Sequence, residues 1–227
     1  MTHLSEAIPS DEGKSQARAQ ARMAFLLGLR ARGISDVAVL RAMEGAPREI
    51  FVPRQYADLA WRDIALPISC GQTMPEPWLV ARMMEALSVG GAHRALEIGS
   101  GSGYATAILA QLAGEVVSFE RYRSLAVEAH TRLEALSVRN ASVTWDDGLE
   151  AVQGVGRFDR ILVHGCLDSV PANIFAALEE GGVLVAARPA ARGRRLMKHI
   201  KTQARLDEID MAACRSGPLM AGRSDFL

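Results

Sequence analysis

Six residues, Gly99-Ser100-Gly101-Ser102-Gly103-Tyr104, separate an apolar run, Arg94 to Ile98, from a second one, Ala105 to Leu112. Glycines accept positive φ and let a ligand come close to the backbone, and a helix starting after them offers free N–H groups. Two carboxylates stand near that loop. Glu97 lies two residues before the first glycine, where it could face a cationic ligand. Glu120, with its neighbour Arg121, ends the apolar run Glu115 to Phe119, where a carboxylate can accept both hydroxyl protons of a ribose. An Asp147-Gly148 pair after Ala141 to Trp145 suits an adenine amino group. His164 closes the run Phe158 to Val163. There an imidazole either takes a proton from a nucleophile or makes an ordinary hydrogen bond at a strand terminus.

These positions require elements to hold them. Arg94–Ile98, Glu115–Phe119, Ala141–Trp145, Phe158–Val163 and Val183–Ala187 read as strands, the last entered through a sharp turn at 178–182. Helical patterns lie between them at 105–112 and 125–136. Strand, glycine loop, helix is the opening unit of a doubly wound, mostly parallel α/β sheet, with a ligand at the carboxyl edge of the strands. The loop reads GxGxG rather than GxGxxG, so the dinucleotide pyrophosphate fingerprint is not met. With Glu97, Glu120 and Asp147-Gly148, this favours S-adenosylmethionine and a Rossmann-like methyltransferase core over residues 91–227.

Upstream, residues 21–90 read as a helical flank and covering loop. Met23, Leu26, Leu27 and Leu29 form an apolar stripe that ends at Gly33, and Ser35 or Asp36 can cap a second helix carrying Val37, Val39, Leu40 and Met43. Residues 54–71 are irregular, and a third helix starts at Pro77. Residues 1–20 read as a polar, loose tail.

The chain has 227 residues, 49% of them hydrophobic, and its 26 Lys and Arg balance 26 Asp and Glu. Zero formal charge provides no long-range field toward nucleic acid or an anionic membrane, so a peptide, protein or small-molecule partner is expected. The basic cluster Arg192, Arg194, Arg195, Lys198 and His199 reads as a solvated face offset by Asp207, Glu208 and Asp210. It lacks the interleaved aromatics of a base-stacking surface. Cys70, Cys166 and Cys214 are too sparse for a disulfide framework or a zinc site. No signal or membrane segment is evident, which suggests the cytoplasm. Oligomeric state is not legible.

The runs Pro47-Arg48-Glu49-Ile50-Phe51-Val52-Pro53, Asp63-Ile64-Ala65-Leu66-Pro67-Ile68 and Gly71-Gln72-Thr73 resemble protein-L-isoaspartate O-methyltransferases. So do Leu96 to Tyr104, Asp147-Gly148 and Phe158-Asp159, with a fainter match at Pro218-Leu219. The resemblance implies methylation of the α-carboxyl of isoaspartyl residues, with S-adenosylhomocysteine as product. It places the cofactor on Glu97, Gly99, Ser100, Gly101, Ser102, Gly103, Glu120, Arg121, Asp147 and Gly148, under a loop of Gln72, Thr73, Met74 and Pro75. Three segments depart from the family. Pro75 stands where members carry a serine at the reacting carboxylate, and it has neither hydroxyl nor N–H. Gly165 to Ser169 replaces Ala-Ala-Pro, and Ala187-Arg188-Pro189 replaces Pro-Val-Gly. An acceptor carboxylate is already ionised at neutral pH, so the site needs alignment more than a base. Thr73 remains as a hydroxyl donor, or as a plain loop residue. Asp168 could bind a cationic group or cap a turn, and Arg188 could pair a substrate carboxylate or lie on the surface.

Overall fold

In the computed structural model, residues 11–203 and 205–225 are described. Helix α1, Asp11–Ala31, starts ten residues before the stretch in which helix was expected. Its first turns hold Asp11, Glu12 and a run of Gln, Ala, Arg and Lys. Helix propensity and the N-terminal preference for acids thus outweigh the polarity that suggested a loose tail. The apolar stripe also differs. Phe25 and Leu29 are buried, while Met23 and Leu27 are 66% and 60% exposed.

Asp36 caps helix α2, Val37–Gly45, its Oδ1 accepting from the amides of Ala38 and Val39. The stretch read as irregular contains two short 3-10 turns, Arg54–Leu59 and Ser69–Gly71, the second joining the strands of a hairpin, β1 Leu66–Pro67 and β2 Thr73–Met74. Helix α3, Pro77–Leu87, starts on Pro77, and the amide of Trp78 finds its acceptor in Asp63 Oδ1, 2.8 Å away.

One guanidinium organises this whole segment. Arg48, fully buried, donates to the carbonyls of Ala60 (2.7 Å), Arg62 (3.2 Å), Ile64 (3.0 Å) and Pro75 (3.1 Å). Burial pushes its pKa down to about 10, so it stays charged at neutral pH.

The rest is the expected alternation. Strands β3 (Arg94–Ile98), β4 (Glu115–Glu120), β5 (Ala141–Trp145), β6 (Phe158–Cys166) and β7 (Leu178–Pro189) run parallel. Between them lie α4 (Tyr104–Leu112), α5 (Arg123–Ala135), α6 (Gly148–Ala151) and α7 (Ala172–Ala177). Two antiparallel strands, β8 (Arg194–Thr202) and β9 (Arg205–Cys214), extend the sheet to the order β5-β4-β3-β6-β7-β8-β9. Sequence pattern missed this last pair. A register shift between Leu196 and Met197 breaks the two-residue alternation that would have marked it. The basic cluster apart from Arg192 therefore lies on β8, where Arg195 pairs with Asp210, and His199 is fully buried rather than solvated.

The flank shares one apolar cluster with the sheet. Leu29, Met43, Leu79 and Met83 pack with Ala95, Ile108, Val116 and Val185. A second cluster, around Leu96, Ile98, Phe119 and Ile161, fills the opposite face. The carboxyl ends of β3, β4 and β6 thus face a hairpin whose position is fixed by the common core.

Candidate active site

At the carboxyl end of β3 the chain enters the glycine loop with Gly99, Gly101 and Gly103 at φ of 90°, 53° and 87°. Only glycine takes these values without strain. The Gly99 amide donates to Phe119 O at 2.7 Å, which fastens the loop to β4. The loop lines a cavity of about 890 Å³ together with Glu120, His164, the β2 hairpin and the segment after β9. The Ser100 hydroxyl is buried without a partner on that wall. An unpaired buried hydroxyl costs on the order of 1–3 kcal/mol, so a ligand that engages it recovers that energy.

Glu120 is 4% exposed and lines the cavity. One oxygen accepts from Gly101 N at 2.8 Å and the other from Tyr122 N at 2.9 Å. Each oxygen keeps a second lone pair. Burial raises its pKa, and the backbone amides of Tyr122, Gly101 and Arg121 oppose that shift.

Glu97 is placed differently from the expectation. It is fully buried and absent from the cavity wall. Its Oε2 accepts from Thr106 Oγ1 (2.5 Å) and Ser118 Oγ (2.7 Å), and its Oε1 meets His164 Nε2 at 2.9 Å. The carboxylate thus holds the imidazole that does reach the cavity. A cationic ligand would have to displace these partners to touch Glu97.

The β1–β2 hairpin forms the opposite wall. Its turn docks on α5 through Ser69 Oγ to Glu128 Oε1 (2.8 Å), and Gln72 Nε2 donates to the Tyr122 hydroxyl (3.3 Å). Thr73 is exposed to the cavity, Met74 is buried beside Ser102, and Pro75 lines the wall with its carbonyl held by Arg48.

The sequence reading missed the segment after β9 as a wall of the site. Residues 214–220 line the cavity, and the chain then continues across the sheet edge. Cys166 N donates to Gly217 O (2.8 Å) and Leu219 N donates to Cys166 O (3.1 Å). Farther on, Arg121 Nε donates to Gly222 O (2.9 Å), and Gly222 N donates to Asp147 Oδ2 (2.6 Å). Arg121 therefore lines the cavity while holding this strap. Asp147 lies off the cavity wall, its other oxygen capping α6 through Leu149 N. The only advance signal was the faint Pro218-Leu219 match, because backbone pairing leaves no side-chain pattern.

Gly103 and Gly148 also lie behind the wall. A Cβ on Gly148 would sit 2.9 Å from Ile98 Cγ2, so this glycine serves close packing of α6 on the sheet. Asp168 is exposed, and Arg188 pairs with Glu208 and donates to Asp168 O; neither borders the cavity.

Comparison with known proteins gives concordant results. Residues 20–221 match the family model described as protein-L-isoaspartate(D-aspartate) O-methyltransferase. The chain is 44% identical to the protein-L-isoaspartate O-methyltransferase of Azorhizobium caulinodans, over 94% of this chain and 99% of that one. It is likewise 44% identical to the enzyme of that name from Xanthobacter autotrophicus, over 95% of this chain and 99% of the relative. Its fold superposes with TM-score 0.77 on that of a Plasmodium falciparum protein-L-isoaspartate O-methyltransferase solved with S-adenosyl-L-homocysteine. That pair is 21% identical, with 87% of this chain and 97% of the other covered.

Proposed function

This chain belongs to the protein-L-isoaspartate O-methyltransferase family, and we propose that it methylates the α-carboxyl of isoaspartyl residues in damaged proteins or peptides. It is an S-adenosylmethionine-dependent methyltransferase. One observation carries the finer reading. A single cavity joins the glycine loop and Glu120 on one side to the Thr73–Pro75 hairpin on the other.

The residues present fit an adenosyl group. Glu120 has lone pairs to spare for two ribose hydroxyls, the orphaned Ser100 hydroxyl seeks a partner, and the glycine loop admits a close neighbour. When bound, S-adenosylmethionine supplies an electrophilic methyl group on a sulfonium. Glu120 and residues 99–102 hold and orient the adenosyl end, while Gln72, Thr73 and Met74 cover it. Asp147 and Gly148 shape the sheet edge behind. Ile68, Leu79, Met83 and Leu125 line the cavity with apolar surface, which keeps the reacting oxygen poorly hydrated. The Thr73 hydroxyl stands free to orient the acceptor carboxylate. That carboxylate is ionised at neutral pH, so no residue has to remove a proton from it.

Residues 21–90 act as the covering flank and 91–227 as the methyltransferase core. No helix among the described residues is long and apolar enough to cross a membrane. We place the protein in the cytoplasm, acting on peptide rather than nucleic acid.

Pro75 favours a second reading, a different peptide or a small-molecule acceptor, because it removes a hydroxyl and an N–H from the acceptor wall. Pro75→Ser distinguishes the two. With its carbonyl already held by Arg48, a serine there is in place to donate. If isoaspartyl residues are the acceptor, the variant should turn over an isoaspartyl peptide about fivefold faster or more, the equivalent of about 1 kcal/mol. Equal rates would remove the serine position from the account of the acceptor. No turnover by either protein would support the second reading.

A further inference from the structure

The dyad formed by His164 and Glu97 is not needed to hold an adenosyl group, and an ionised acceptor needs no base. Its geometry is nevertheless well defined. Glu97, fully buried, fixes one imidazole nitrogen at 2.9 Å while Thr106 and Ser118 satisfy its other oxygen. His164 stands at the carboxyl end of β6, in register beside β3, and its Cβ is 3.3 Å from where a side chain on Gly99 would begin. The imidazole lines the cavity and its side chain is 12% exposed. Nδ1 makes no hydrogen bond in the structure and is not among the buried orphan atoms, so it is reachable from the cavity.

We propose that His164, positioned by Glu97, binds the acceptor carboxylate through Nδ1, supplying from β6 the donor that Pro75 removes from the hairpin. Nε2–H donates to Glu97 Oε1, which leaves Nδ1 to take up the second proton. In that imidazolium form Nδ1–H donates to the acceptor carboxylate, and the buried Glu97 carboxylate balances the charge. His164 is then an acceptor-binding residue and Glu97 a positioning residue. Neither takes a proton from the acceptor, and the dyad's own proton stays on the ring. The other charged groups bordering the cavity are Glu76 at the start of α3, Glu120 and Arg121 at the end of β4, Arg194 on β8, and Arg215 after β9. Glu76 and Glu120 favour the imidazolium, and the three arginines oppose it. This inference rests on the isoaspartyl reading and names the group that recognises the acceptor.

The test is calorimetric titration of an isoaspartyl peptide onto the full-length protein saturated with S-adenosylhomocysteine, at a series of pH values from about pH 5.5 to 8.5. Wild-type affinity should fall as pH rises through that range. His164→Gln, whose amide can still donate to Glu97, should bind the peptide about tenfold more weakly at the acidic end and lose the pH dependence. Its affinity for S-adenosylhomocysteine should be unchanged. Glu97→Gln should also weaken peptide binding, because the imidazolium loses its counter-charge. Wild-type and His164→Gln profiles that coincide would overturn the proposal while leaving the isoaspartyl reading intact. So would wild-type affinity that rises with pH. If wild-type protein saturated with S-adenosylhomocysteine binds no isoaspartyl peptide at any pH, the isoaspartyl reading fails and this proposal falls with it.

Discussion

Glu120→Ala should weaken S-adenosylhomocysteine binding about a hundredfold, as measured by calorimetry. Two hydrogen bonds from ribose hydroxyls to a buried carboxylate contribute roughly 1.5–3 kcal/mol each, and the lower bound of their sum already gives that factor. Substitution also frees the amides of Gly101 and Tyr122, so the loop loses its anchor as well as its acceptor. Glu120→Gln separates the two effects by keeping one acceptor oxygen. The pH dependence carries an independent signature. Burial raises the Glu120 pKa, so acidification should reduce affinity at a higher pH than an ordinary carboxylate, near 4.3, would require. The sign for stability is opposite. Between the unfolded and the raised folded pKa the folded protein holds more protons than the unfolded chain, so Glu120's own contribution to stability grows as pH falls. Ligand affinity and the stability of the ligand-free protein should therefore diverge on mild acidification.

Arg48→Met should cost about 3 kcal/mol of folding stability or more, because four carbonyls lose a charged donor inside the flank. For a chain of this size that corresponds to a fall in Tm of about 6–12 °C. The effect should extend beyond stability, since one of those carbonyls belongs to Pro75 on the cavity wall. Arg48→Lys provides the control. A lysine retains the charge but cannot reach four carbonyls from a planar fork, so it should recover only part of the loss. A Tm for Arg48→Met within a degree of wild type would mean that the four carbonyls find other partners.

Much of this arrangement was legible in the residues. Strand β3, the glycine loop and Glu120 follow from pattern alone, since each is a local feature with a local physical cause. The surroundings of Glu97 were not legible for a specific reason. Strand β3 is central, with Ala95 packing into one apolar cluster and Leu96 and Ile98 into the other. Both faces of the strand are buried, so alternation cannot say which face a carboxylate meets. Thr106 and Ser118, its actual partners, lie 9 and 21 residues away. The stripe on α1 failed similarly. Met23 and Leu27 have the same four-residue spacing as Phe25 and Leu29, about 200° around the helix, and periodicity cannot choose between two equivalent stripes. The strap after β9 left only the faint Pro218-Leu219 match, because it is held through its own backbone groups. Its consequences for Arg121 and Asp147 appear only when Gly222 is placed between them.

The proposed reaction is transfer of a methyl group, in this cavity, to an isoaspartyl carboxylate. The most direct measurement is labelled methyl transfer from S-adenosylmethionine to two peptides that differ only in having isoaspartyl or aspartyl at one position. A base-labile methyl ester is expected on the isoaspartyl peptide, with background label on its aspartyl isomer. Equal labelling of the two peptides, or label on neither from a protein that binds S-adenosylhomocysteine, would contradict it.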